Sequence, residues 1–346
     1  MAQDPETWFH TLATHFVEAQ IYFHLNQAGV MHELRDGGAR AADIAARLEL
    51  DERILDVLLD YAASVGPVVA REPDGRYALT EFGEQVLRRY GKTNGERTTY
   101  NLFDVRVGAW GPLWTNLGGL LDRSIVYGRD LHRIGDYAAD GLFKLAAPLA
   151  ASVERAAARL GARTVVELGP TSGILAQLAE GEPSRTYAGI DLKPRSLRDA
   201  EALAAERGVG GIRWLQGDLF EPEPWLAELP ADRPALFFSC HFHEFLAAGS
   251  ERVADALGRL ARWPGTAGMV VLEQPRLELA QRGEVSPTQW LYAHSNVLIH
   301  HLIKNAKILT VEEWRRMLLD VGCTTVSSEE TACFGFTSLV GTVAPP

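Results

Sequence analysis

Thr164-Val-Val-Glu-Leu-Gly-Pro-Thr-Ser-Gly-Ile-Leu175 decides how the second half of the chain is read. An apolar strand ends in an acidic residue, Glu167, and passes through a turn bounded by Gly169 and Gly173 directly into a helix. Glycines allow the backbone to approach a bound group closely, and the first turn of the following helix offers N–H groups that have no partner inside the helix. A nucleotide-type cofactor needs that combination. Apolar strands also end in glycine turns for purely structural reasons, so the flanking sequence has to decide.

The flanks repeat the pattern. Thr186-Tyr-Ala-Gly-Ile-Asp191 is a second strand, ending in a carboxylate where doubly wound folds hold a ribose diol. Ile212-Arg-Trp-Leu-Gln-Gly-Asp-Leu-Phe220 is a third, carrying Gly217-Asp218, and Pro234-Ala-Leu-Phe-Phe-Ser239 is a fourth that runs into Cys240-His-Phe-His-Glu-Phe245. Gly268-Met-Val-Val-Leu-Glu273 is a fifth. Helical stretches separate them, which predicts an α/β fold with a Rossmann-like doubly wound parallel sheet and helices on both faces. Thr324 to Val343 alternates around Phe334-Gly335-Phe336 as two strands joined tightly, so the sheet should end in an antiparallel pair.

The N-terminal part reads differently. Ala41-Ala-Asp-Ile-Ala-Ala-Arg-Leu48 and Asp51-Glu-Arg-Ile-Leu-Asp-Val-Leu-Leu59 predict a helix-turn-helix, followed by a wing hairpin, Val68 to Leu79, turned at Asp74-Gly75. The second helix carries Asp51, Glu52, Asp56 and Asp60 against Arg53, and the whole chain of 346 residues has a formal net charge of -11. Binding phosphates needs a basic surface, so a nucleic acid is not the expected partner. Trp8 to Val30 predicts a long helix with Phe9, Leu12, Phe16, Ile21, Phe23 and Leu25, more apolar surface than one domain absorbs, which points to a homodimer. The expected division is 1–95 winged-helix dimerisation domain, 96–160 helical connector and 161–346 catalytic domain. Tyr100, Phe103, Trp110, Trp114 and Phe143 of the connector are candidates for the wall of a substrate pocket.

No apolar run is long enough to span a membrane, and Met-Ala-Gln-Asp-Pro-Glu lacks the basic start of a secretory signal, so a cytoplasmic protein without membrane contact is expected. Cys240, Cys323 and Cys333 have neither paired nor Cys-x-x-Cys spacing and should be reduced thiols.

The series Glu167-Leu-Gly-Pro-Thr-Ser-Gly173, Asp191, Gly217-Asp218 and His243-Glu-Phe245, closed by Thr310-Val-Glu-Glu-Trp314, resembles the class I S-adenosylmethionine-dependent methyltransferases of the two-domain small-molecule O-methyltransferase type. Pro170 within the loop departs from their usual glycine-rich core and removes a backbone donor. The resemblance implies S-adenosylmethionine as cofactor. Glu167, Gly169 and Gly173 would lie at its methionyl end, and Asp191 with Leu192 at its ribose. Asp218, Leu219 and Phe220 would lie at its adenine and Ser239 near its sulfur, while Tyr127 and Arg129 are candidates to hold a carboxylate. His243 matches the position of the general base, with Glu273 orienting it.

The histidines leave two chemistries open. Pro287-Thr-Gln-Trp-Leu-Tyr-Ala-His-Ser-Asn-Val-Leu-Ile-His-His-Leu302 adds His294, His300 and His301, with His301 thirteen residues before Trp314. That spacing resembles the metal-dependent α-keto acid C-methyltransferases of peptide-antibiotic pathways. The resemblance implies a transition metal ion, zinc or iron, held by His243 and His301, with a 2-oxo acid substrate methylated at its β-carbon through an enolate that the cation stabilises. His241 and Glu244 are possible additional ligands, and His300, about 100° around the helix from His301, reads as structural. The alternative is metal-free O-methylation of a phenolic or hydroxylated metabolite with His243 as base. A third possibility keeps the fold and cofactor but serves as a regulator or cyclase.

Overall fold

The computed structural model describes residues 4–90, 103–134, 146–170, 173–304, 307–331 and 335–344. Tyr100, Phe143, Thr171, Ser172, Asn305, Ala306, Cys333 and Phe334 lie outside the described residues. The chain forms two compact units, Met1–Ile125 with Leu131–Lys144, and Val126–Asp130 with Leu145–Pro346.

In the first unit, α1 (Pro5–Gln27) begins where the Asp4 carboxylate accepts from the Thr7 N–H at 2.9 Å, and it ends before Gly29, whose φ of 82° a helix cannot continue. Phe23 and Leu25 near its end are buried, whereas Trp8, Phe9, Leu12, Phe16 and Val17 on its first turns are exposed. Helices α2 (Ala41–Leu48) and α3 (Glu52–Val65) follow, the second capped by Asp51 accepting from Ile54 N–H. Strands β1 (Val69–Arg71) and β2 (Tyr77–Leu79) pair antiparallel around Gly75, and α4 (Glu81–Tyr90) comes next. Leu25, Leu34, Ile44, Leu55, Leu59 and Tyr77 make the core of this winged-helix arrangement.

The described residues of the 96–160 connector fall in both units. Its described residues form a π-helical turn at Asp104–Ala109 and two short helices, Gly111–Thr115 and Leu117–Leu121, in the first unit. Its last part, α5 (Ala146–Arg159), packs in the second unit. Trp110 is buried core, and the Trp114 indole N–H donates to the Arg106 carbonyl at 2.8 Å.

The second unit is built on a seven-stranded sheet. Its strands are β3 (Thr164–Leu168), β4 (Thr186–Asp191), β5 (Ile212–Gln216), β6 (Ala235–Ser239), β7 (Thr266–Glu273), β8 (Cys323–Glu330) and β9 (Thr337–Val343). They lie in the order β5-β4-β3-β6-β7-β9-β8, parallel from β5 to β7, with β9 antiparallel to both its neighbours. Successive strand side chains point to opposite faces. Val166, Leu168, Ile190, Phe237, Met269 and Val271 share one face with Leu257, Leu260, Trp314 and Leu318. Val165, Tyr187, Leu236, Phe238, Val270 and Leu272 alternate with them and are equally buried, so both faces are covered, as a parallel sheet requires. The helices that matter for the site are α6 (Ile174–Gly181), α7 (Pro194–Glu206), α8 (Phe242–Phe245), α9 (Ser250–Arg262), α10 (Pro287–Lys304) and α11 (Val311–Asp320).

Candidate active site

All five parallel strands deliver their candidate residues at their C-terminal ends, the edge at which open α/β sheets bind ligands. Gly169 and Gly173 have φ of 77° and 76°, left-handed values that only glycine adopts without strain, and their turn brings the chain from β3 into α6. A side chain is excluded for a second reason at Gly173, where a Cβ would sit 2.9 Å from Leu203 of α7. Pro170 fits because Gly189 lies beside it: a Cβ on Gly189 would stand 3.0 Å from the Pro170 ring and 2.6 Å from Trp214.

Glu167 is 1% exposed at the end of β3. One carboxyl oxygen accepts from the Leu175 N–H at 3.2 Å, and the other, Oε1, is buried with no partner among the described residues. Burial pushes its acid up to about 8, opposed only by that one N–H. Asp191 at the end of β4 accepts from Lys193 N–H at 2.7 Å; burial raises its acid, and the nearby Glu244 carboxylate adds to the rise. Asp218 accepts from Phe220 N–H at 2.9 Å, which turns the chain so that buried Leu219 and partly buried Phe220 follow β5. Leu192 is 58% exposed.

Ser239 ends β6, as the sequence predicts. Its hydroxyl is fully buried, donates to the Leu168 carbonyl at 2.7 Å and accepts from His241 N–H at 3.0 Å, so it ties the ends of β3 and β6 together. The tie sets His241 next to the glycine turn: a Cβ on Gly169 would lie 4.0 Å from the His241 ring nitrogen Nδ1. Cys240 Sγ stands 3.2 Å from the same nitrogen.

His243 is held at two points by Glu273, which is 2% exposed at the end of β7. Glu273 Oε1 accepts from the His243 backbone N–H at 2.9 Å, and Oε2 lies 2.7 Å from His243 Nδ1. A carboxylate only accepts, so Nδ1 carries the hydrogen and Nε2 is the acceptor nitrogen of the ring. The third member is His300, 8% exposed, whose ring meets that of His243 edge-on at a centroid distance of 4.3 Å.

The histidine of α10 that packs on His243 is His300, not the His301 expected from the sequence. The inward face of α10 is made by Tyr292, Ala293, Asn296, Ile299, His300 and Ile303, all buried, whereas His301 is exposed with Leu291, His294 and Leu298. One residue of helix phase separates the two histidines by about 100°, so His301 lies off the face that presents His300 to His243. Among the described residues no group of three or more His, Cys, Asp or Glu side chains is arranged to hold a metal ion. Arg129 is exposed and its guanidinium is matched to Asp130 by two bonds of about 3 Å and one of 2.7 Å; Tyr127 is partly buried in the same short segment.

A sheet of this order, with β9 inserted antiparallel and a winged-helix unit ahead of it, is the fold of the class I two-domain small-molecule methyltransferases. Among solved structures, mitomycin 7-O-methyltransferase MmcR superposes with a TM-score of 0.74 at 16% identity, covering 98% of both chains. Human N-acetylserotonin methyltransferase, solved with S-adenosylmethionine, superposes at 0.70 with 17% identity over 99% of both chains. A structure described as a pericyclic reaction enzyme superposes at 0.65 with 14% identity, over 99% of this chain and 90% of the other. No protein-family model matches the sequence, and no curated protein matches it. At these identities the likeness is one of fold, and the chemistry has to come from the side chains.

Proposed function

We propose that the protein transfers a methyl group from S-adenosylmethionine to a hydroxyl oxygen of a small metabolite, with His243 as general base. The observation that carries the reading is the His243–Glu273 pair, a base with a fixed tautomer at the ligand-binding edge of the sheet. The residues at the adjoining turn fit the cofactor. The left-handed glycines leave room for close approach, Glu167 keeps an unpartnered buried oxygen, and Asp191 has an oxygen beyond the one committed to Lys193. Glu167, Gly169 and Gly173 would hold the amino-acid end, Asp191 and Leu192 the ribose, and Asp218, Leu219 and Phe220 the adenine.

The cofactor supplies an electrophilic methyl group on a sulfonium. What the chain supplies is proton management. Nε2 of His243 takes the hydroxyl proton as the oxygen becomes nucleophilic, and the Glu273 carboxylate on Nδ1 stabilises the imidazolium that forms. Glu273 also fixes the backbone of His243, so the ring cannot swing from the position its neighbours define. His300 packs against it from α10 and narrows that freedom further.

Carbon methylation of a 2-oxo acid at a zinc or iron ion rests on His243 and His301 as a ligand pair, and no group of metal-ligating side chains among the described residues supports it. With His301 on the outer face of its helix, the residues favour oxygen methylation, and the proposed reaction uses no cation. Assays with methyl-labelled cofactor and a panel of phenols and hydroxylated heteroaromatics should place label on oxygen. Label on carbon beside a keto group, together with about one equivalent of bound metal, would replace this reading with the carbon-methylating one. The exposed apolar face of α1 further supports a homodimer.

A further inference from the structure

The carboxyl group of Glu167 is enclosed by uncharged surroundings. Across the sheet its register partners are Gly189 on β4 and Phe238 on β6, and α6 contributes a single N–H, from Leu175, at 3.2 Å. Asp191, Glu244 and His241 stand at the same edge, yet no charged side chain among the described residues bears on its acidity. A carboxylate buried with one hydrogen bond is far more costly than a buried carboxylic acid. The carboxyl group lies against the first turn of α6, through the Leu175 N–H, and its Oε1 is buried with no partner among the described residues.

We propose that Glu167 is uncharged in the free protein and ionises when the cofactor's ammonium group arrives, so that binding of the amino-acid end expels one proton. The inference rests on the cofactor reading given above. The proton leaves the carboxyl group for solvent, no covalent bond to the ligand forms, and the resulting carboxylate–ammonium pair replaces an acid that had no ionic partner. The position about 8 of its acid keeps Glu167 protonated near neutrality, and a cation placed on Oε1 reverses the preference. Glu167 thereby distinguishes nucleosides with an amino-acid tail from those without one.

Calorimetry at about pH 6.5 tests this, since an α-amino group with an ordinary pKa of about 7.7–8.0 is then already an ammonium. S-adenosylhomocysteine, titrated in buffers of different ionisation enthalpy, should release about one proton per molecule bound. Its association constant should rise up to about tenfold per pH unit between roughly pH 5.5 and 7, the slope that linkage assigns to one proton. 5′-Methylthioadenosine, which keeps the ribose and adenine but lacks the amino-acid end, should bind without proton release, which controls for Asp191. Glu167→Gln should bind S-adenosylhomocysteine more weakly and without proton release, and the buffer series on the native protein decides the matter even if that variant does not fold. Tight binding of S-adenosylhomocysteine with no proton released overturns the inference and leaves the cofactor reading standing. Failure of both nucleosides to bind overturns the cofactor reading and the inference with it.

Discussion

Asp191→Ala should weaken cofactor binding by about 1.5–3 kcal/mol, the scale of hydrogen bonds to a charged group, because alanine removes the carboxylate oxygen offered to the ribose. Unchanged affinity in a folded variant would take Asp191 out of the site. His243→Ala should lower kcat by about 10²–10⁴-fold with little change in cofactor affinity, while His301→Ala should leave the rate nearly intact. A metal-bridged site would make both changes equally damaging. Glu167 carries a stability prediction of its own. Its acid is raised from 4.5 to about 8, so its contribution to stability is complete below about pH 4.5 and is lost as pH rises through about 8. In the ligand-free protein, Glu167→Gln should therefore gain in Tm relative to the native chain as pH is raised from about 5 to about 8; a constant difference would show that the carboxyl is not protonated. Glu167, Asp191 and Glu273 were legible because an acid at the end of an apolar strand stands out against its own pattern. His300 was not. Leu291 and Leu298 share the outer face of α10 with His294 and His301, so the apolar residues of that helix do not mark its buried side.

Elements were legible where burial made them uniform. Strands β3 and β6 are covered on both faces and read as apolar runs, broken in β3 by Glu167, whereas the connector set helix-spaced aromatics among Gly108, Gly111, Pro112, Gly118 and Gly119, and these glycines and proline break it into single turns. The start of α11 is better determined. Thr310 and Glu313 form a reciprocal capping box, and Thr310→Ala should cost about 0.5–2 kcal/mol in chemical denaturation. Burial alone would raise the Glu313 acid, but Lys307, the Thr310 N–H and Arg276 outweigh it and hold it at about 2. Its contribution is then present above the ordinary value near pH 4.5 and is lost as pH falls through about 2, so Glu313→Gln should destabilise the protein at neutral pH and flatten its acid transition. Gly189→Ala tests the turn beneath the site. With Trp214 and the Pro170 ring both inside normal contact distance of the new methyl, it should cost about 1–3 kcal/mol and loosen cofactor binding.

At the scale of the whole molecule, the apolar residues Trp8, Phe9, Leu12 and Phe16 on α1 stand exposed on one chain, and no helix among the described residues is long and apolar enough to cross a membrane. A second copy is the expected cover. Light scattering should give twice the chain mass, and Phe9→Asp combined with Phe16→Asp should give the single mass with the second unit still folded; a native monomer at micromolar concentration rejects the dimer. The order of the sheet has a consequence for synthesis. Strand β9 sits between β7 and β8 although it is made after both. While the ribosome is still delivering β8, Met269 to Leu272 of β7 present a row of unpaired amides and carbonyls beside the most apolar stretch of the sheet, an open edge of the kind that recruits other chains. Nascent chains stalled before Thr337 should therefore be the aggregating and chaperone-bound species, and the yield of folded protein should depend on how quickly translation carries β9 into its slot.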